Sequence, residues 1–272
     1  MSHSFLVLYF GGQCPWHLWT IEQVRKAAAE VSGDVEVCDV SDKPDLAAKY
    51  RLFSPFMTAI DETIRLPSPN SAERLVKFIN EGVPSELTVF QPPGPEKQAR
   101  RIAPLTAENI RDTCPLCVSG DQAGGCQAKQ AWAFTIKNSV REGVLGFIAY
   151  QGRKAVGVVE CLPSTGVPYP LPQKDARIAF ITCIYSRSIG SGAERGEEPD
   201  YRGQVLEHLL VYLEGQGARK VQVIAGRRTP YPNGPVPFFL SYGFVELSEL
   251  DRVVLTEGQE ELVLMEKVIR HS

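Results

Sequence analysis

The sequence predicts a mixed α/β (α+β) protein of two domains. Three observations predict it. Short apolar runs alternate with segments of helical period along the chain. A stretch rich in proline and glycine, Gln91 to Gln98, breaks that alternation and reads as an extended linker. The length of 272 residues, 43% of them hydrophobic, supplies apolar surface for a substantial core. The expected division is residues 1–90, a Pro-rich linker over 91–99, and residues 100–272.

Composition narrows the function. Charged residues make up 22% and the net charge is −3, so neither part is basic enough for a nucleic-acid partner. No run reaches the roughly 18 apolar residues of a membrane span. The apolar stretch Phe5 to Phe10 is too short for a signal-peptide core and lacks a basic flank. A cytoplasmic protein without a membrane partner is expected. Its seven cysteines are then expected as reduced thiols, metal ligands or redox groups.

Phe5 to Phe10 is a continuous apolar run, the mark of a strand buried on both faces. A helix is predicted over 15–31, with Ile21, Val24, Ala28 and Val31 on one face. Val35 to Val40 largely alternates and predicts a second strand, and 44–50 suits a short helix. Strands are predicted over 56–60 and 64–66, then an amphipathic helix over 71–80 with Leu75, Phe78 and Ile79 inward. Cys38 is expected in the core.

In the C-terminal part, Thr106 to Asn109 has the pattern of a helix start, with a helix to about Arg111. A second helix is predicted over 127–140, then strands over 144–150, 155–161 and 177–185. Ser186 to Asp200 is rich in Gly, Ser and acids and reads as a loop. Val205, Leu206, Leu209, Leu210 and Leu213 repeat at helical spacing, and Gly215 and Gly217 end that helix. A strand over 220–225, a short helix over 237–242 and strands over 252–255 and 261–268 complete the chain. Leu262 to Met265 suits either a core position or an exposed edge.

Cys114-Pro115-Leu116-Cys117, followed by Cys126, is the most specific short pattern. Two thiolates two residues apart reach one point, so zinc is one reading. Its fourth ligand would come from Cys161, Cys183 or His208. A redox pair and a plain turn with buried thiols are the others.

The element order of residues 4–82, with Cys14 after the first strand and Pro55 before the third, resembles the thioredoxin fold. That resemblance implies a Cys-x-x-Cys at the first helix, which here reads Cys14-Pro15-Trp16-His17, and a cis-proline at Pro55. Helix N-terminal amides lower a thiol pKa, and His17 lies one turn away. A lone cysteine cannot resolve its own mixed disulfide. Cys14 is therefore either a reactive thiol or the start of a docking scaffold.

Residues 100–269 resemble the GNAT N-acetyltransferases. The segments are VLGFIAYQGRKAVGVVECLP, IAFITCIYS, YRGQVLEHLLVYLEGQGARKVQVIAG and the late Phe238 to Phe244. The resemblance implies direct attack of an amine on the thioester of acetyl-CoA. It sets Ile181, Cys183 and Ile184 on the strand beside the cofactor, and Arg202, Gly203 and Gln204 at a helix terminus cradling its pyrophosphate. The family's second glycine is replaced by Val205 or Leu206. The preceding loop carries Glu194, Glu197, Glu198 and Asp200, partly offset by Arg187 and Arg195. Phe239 stands where the family has its acid tyrosine, so Tyr242 or Tyr231 is expected to substitute. Glu160 or His208 is the expected base. The whole resembles bacterial proteins that join a GNAT domain to a thioredoxin-like domain.

The leading expectation is an acetyl-CoA-dependent N-acetyltransferase for an amine of a small molecule or protein, with the N-terminal domain as docking module. Its rivals are a thiol-based redox or sensor protein using Cys14 and the Cys114–Cys117 pair, and a non-catalytic binding protein on the GNAT fold. The oligomeric state stays open.

Overall fold

The computed structural model describes residues 2–86, 94–118, 123–187, 198–256 and 258–269. Residues 91–93 of the expected linker, and Glu194, Arg195 and Glu197 of the expected loop, lie outside them.

The N-terminal half runs β1 (Ser4–Tyr9), α1 (Trp16–Val31), β2 (Asp34–Asp39), α2 (Pro44–Lys49), β3 (Phe56–Ile60), β4 (Ile64–Leu66) and α3 (Ala72–Glu81). Its four strands pair in the order β2-β1-β3-β4. β1 is parallel to β2 and antiparallel to β3. The apolar run of β1 is explained by this central place. Phe5 and Val7 pack on α1 and α3 with Val24, Leu75 and Phe78. Leu8 faces the other way, into the C-terminal half. The one cis peptide bond among the described residues is Tyr231–Pro232, so the bond before Pro55 is trans, contrary to expectation.

The C-terminal half runs β5 (Arg101–Leu105), α4 (Cys114–Cys117), α5 (Ala123–Ile136), β6 (Gly146–Gln151), β7 (Lys154–Pro163), β8 (Ile178–Ser186), α6 (Arg202–Gly215), β9 (Lys220–Gly226), α7 (Val236–Ser241), β10 (Val245–Val254) and β11 (Gln259–Val268). Its seven strands pair in the order β10-β11-β9-β8-β7-β6-β5. Neighbours are antiparallel except β8 and β9.

Two expectations change, and one left open is decided. β5 is an unforeseen strand, and its Pro104 is tolerated because β5 lies at the sheet edge. The helix expected from Thr106 is a turn followed by a 3₁₀ helix, Ile110–Thr113. There the Asn109 Oδ1 accepts from the Thr106 N–H at 2.8 Å. Leu262 to Met265 are core, because β11 lies between β10 and β9.

One face of the seven-stranded sheet is covered by α6 and α7 through Val205, Leu206, Leu209 and Phe239. The other face and the N-terminal half share a single core. It joins Leu8, Phe10 and Met57 to Trp132, Ile148, Phe180 and Leu264. Polar contacts reinforce the seam. Arg65 makes two hydrogen bonds to Asp251, at 2.6 and 3.2 Å. Tyr231 donates to the Pro67 carbonyl at 2.7 Å. The two sheets thus pack across one shared core.

Candidate functional site

The parallel pairing of β8 with β9 stops early. Its partners run from Ile178 opposite Lys220 only to Ile181 opposite Val223. At the same point β8 is irregular against β7. Glu160 pairs with Cys183 and Cys161 with Ile181, which leaves Thr182 as an extra residue. Such a bulge bends the strand and re-aims its groups. The sheet therefore opens at Thr182, beside Glu160.

Glu160 is only 2% exposed. Its Oε1 is held by Lys129 of α5, itself 4% exposed. Its Oε2 accepts from the Gln13 side-chain amide at 3.2 Å. The same amide nitrogen donates to the Thr182 carbonyl at 3.4 Å, and Lys129 donates to the Gln13 carbonyl at 2.9 Å. A buried carboxylate needs such partners. Burial alone would discharge Lys129, but Glu160 beside it holds the ammonium pKa above its ordinary value.

Gln13 reaches this point from the turn between β1 and α1. The turn lies directly on α5, where a Cβ on Gly12 would overlap the Ala128 carbonyl and one on Gly125 would overlap the Pro15 carbonyl. Glycine permits that approach. Gln13 Oε1 and Thr182 Oγ1 are buried without a hydrogen-bond partner.

Cys14, Cys117 and Cys183 surround the pair, and each thiol feels the charges of Lys129 and Glu160. The lowered Cys14 pKa expected from its place is not what these surroundings produce. Burial pushes the thiol up to about 11, against a smaller opposing hydrogen bond from Trp16. His17 does not hold the thiol. Its Nδ1 lies 2.7 Å from the Cys14 carbonyl, and its ring stacks on Tyr9. Burial pushes Cys117 up to about 12. Cys114 and Cys126 are both buried, and burial raises Cys114 too. Among the described residues no three His, Cys, Asp or Glu side chains form a group able to hold a metal. The zinc expected at Cys114, Cys117 and Cys126 has no such group.

The second part of the expected site is the start of α6. Arg202 is completely buried, with Nε and Nη2 on the Asp200 carboxylate at 2.8 to 3.1 Å and its guanidinium over the Phe238 ring. Gly203 is covered by Tyr242, whose hydroxyl a Cβ there would overlap. Burial pushes that phenol up to about 12, and its hydroxyl lies 3.3 Å from Glu96 Oε1. Gln204 is engaged by the backbone of Ala99 and Lys97. Ile181 and Ile184 pack under α6. His208 is exposed, with Nδ1 2.9 Å from the Gln204 carbonyl.

Glu160 and Cys183 thus meet at the opening, with Cys14 alongside. Arg202, Gly203, Gln204 and Tyr242 gather at the α6 terminus. Sequence reasoning missed Gln13 and Lys129. The only signal for Lys129 was a charge within an otherwise mostly apolar helix.

Among the described residues, the start of α6 is lined by acidic and phenolic groups of the chain itself. Two carboxylates, Asp200 and Glu96, and the Tyr242 phenol already lie against it, and the nearby guanidinium is spent on Asp200. At the opening, by contrast, the register of β8 with β9 ends at Ile181 opposite Val223, and the bulge at Thr182 lies beside Glu160.

The sequence matches no family model and no curated protein. Solved N-acetyltransferase structures are similar to about two thirds of the chain. A ribosomal-protein-S18-alanine N-acetyltransferase from Escherichia coli covers 63% of this chain and 95% of its own, at 16% identity and TM-score 0.40. An acetyltransferase of the GNAT family from Streptococcus pneumoniae covers 62% and 99%, at 15% identity and TM-score 0.43. The PaiA N-acetyltransferase from Thermoplasma acidophilum, in complex with coenzyme A, covers 62% and 98%, at 12% identity and TM-score 0.38.

Proposed function

We propose that this chain is an acyltransferase that moves an acetyl group from acetyl-CoA to an amine of a small molecule or protein. The observation that carries the reading is the opening between β8 and β9, with the bulge at Thr182 and the buried Glu160 beside it. In this reading Glu160 accepts the proton of the attacking amine. Lys129 and Gln13 position its two oxygens. Cys14, Cys117 and Cys183 act as neutral walls of the site, not as nucleophiles. Arg202 braces the α6 terminus through Asp200. The N-terminal half is read as a thioredoxin-like scaffold, a reading supported by its β2-β1-β3-β4 sheet. Its contribution to the site is Gln13. No helix among the described residues is long and apolar enough to cross a membrane.

The test uses the full chain. Calorimetry with acetyl-CoA and acetylation of an amine panel are the measurements. Glu160→Gln should lower turnover by roughly 100-fold or more while leaving acetyl-CoA affinity near wild type. Failure of the wild-type chain to bind any acyl-CoA removes the reading and leaves a non-catalytic binding protein.

A further inference from the structure

The packing of α6 on the sheet is incomplete at the helix's far end from Arg202. Between the last turns of α6, the start of β8 and residues 140–144 lies a cavity of about 170 Å³. Val144, Leu162, Ala179, Leu209 and Leu213 are among its apolar walls. A cavity of about 150 Å³ with such walls takes a body the size of benzene. None of Gln13, Lys129, Glu160 and Thr182 lines it.

Its polar groups are of two kinds. Among the described residues, Arg141 and Arg177 are the only charged ones that line it, and both are exposed. Their carboxylate neighbours, Glu142 at 4.0 Å and Asp175 at 3.6 Å, do not line the cavity. Solvated pairs of that length hold a guanidinium weakly. The α6 wall has the opposite character. Gln216 lines the cavity, and its Oε1 is buried without a hydrogen-bond partner among the described residues. A buried acceptor left without a donor is costly. The last turn of α6 also has no basic residue and contains Glu214, so the negative end of the helix favours a cation there.

We propose that this cavity binds a free α-amino acid with an apolar side chain. The carboxylate lies with Arg141 and Arg177, the ammonium donates to Gln216 Oε1 at the α6 end, and the side chain fills the apolar space. Each charge of the zwitterion thus meets a group of the sign that suits it. The assignment is independent of the acyl-transfer reading, because the two sites share no residue named here. No covalent bond changes.

Calorimetry of the full chain with L-phenylalanine tests it. Two analogues serve as controls: 3-phenylpropanoate lacks the ammonium, and L-phenylalaninamide lacks the carboxylate. L-phenylalanine should bind with simple saturation, and each analogue about 10-fold more weakly. Arg177→Ala and Gln216→Leu should each weaken L-phenylalanine about 10-fold. Neither side chain is part of the buried core, so both variants should melt as the wild type does. Equal binding by the wild type and both variants would put the ligand elsewhere and overturn the assignment. Equal binding of all three ligands, or no binding of L-phenylalanine, overturns it too. Each of these outcomes leaves the acyl-transfer reading standing, since that reading is tested with acetyl-CoA.

Discussion

Lys129 and Glu160 form an ion pair buried inside the protein. Removing one partner leaves the other as an uncompensated buried charge. Lys129→Met should cost about 3–5 kcal/mol in urea unfolding, and Lys129→Met with Glu160→Gln should recover much of that loss. If the single variant unfolds like wild type, the pair is not the buried contact described. The thiols give a second residue-scale prediction. Its surroundings hold the Cys14 thiol up at about 11, above the ordinary thiol range. Iodoacetamide at pH 8 should therefore modify native Cys14 more slowly than the same residue in urea. The stability consequence follows in sign. The folded pKa is raised, so this contribution is complete below about pH 9 and is lost as pH rises through about 11. A thermal melting temperature flat across that window would contradict the burial of this thiol.

Among the elements, the turn after β1 and helix α5 meet backbone to backbone. Gly12→Ala and Gly125→Ala place a Cβ into carbonyl groups that cannot move aside as a side-chain end would. Each should destabilise by about 1–3 kcal/mol and weaken the contact of Gln13 with Glu160. Gly215, near the end of α6, has open space at its Cβ. Gly215→Ala should be neutral or stabilising by up to about 1 kcal/mol. Urea unfolding of the three variants separates a required close approach from a merely present glycine. Strand β10 makes a related point. The sequence predicts only its last residues, because Val245 to Asp251 mixes polar and apolar side chains across two register shifts. At an edge of the sheet, pairing with β11 on one side suffices to hold such a segment.

Across the whole molecule, the shared core means that neither half has its full apolar surface covered alone. Residues 94–272 expressed separately would bare Trp132, Ile148, Phe180 and Leu264 to water. That fragment should lack the cooperative melt of the full chain and should bind a hydrophobic dye. The full chain should unfold in one transition by calorimetry. Two well-separated transitions, or a fragment as stable as the parent, would contradict a single core. The seam also includes Arg65 and Arg51 on the mostly buried Asp251. A fragment lacking the N-terminal half also lacks Gln13, which contacts Glu160.

Most elements were legible in the sequence because helical and alternating periods record which face is buried. The apolar run of β1, the alternation of β2 and the leucine stripe of α6 each determined their element and its inward side. Glu160 was marked in the sequence as a carboxylate at a strand end, and the fold buries it within β7. Other features depended on who the neighbours are. Pro104 concealed β5 because edge position is a property of the sheet, not of five residues. Cys14 follows a strand and precedes a helix, a local setting that favours the thiolate. Packing against α5 reversed that preference, because desolvation outweighs one turn of helix amides. Gln13 and Lys129 became partners of Glu160 only when segments 147 and 31 residues away along the chain closed on it. The sequence by itself determined the secondary elements and the chemistry each one carries. The tertiary structure decided which of those groups are charged, paired or covered, because burial and partner distance arise only when distant segments meet.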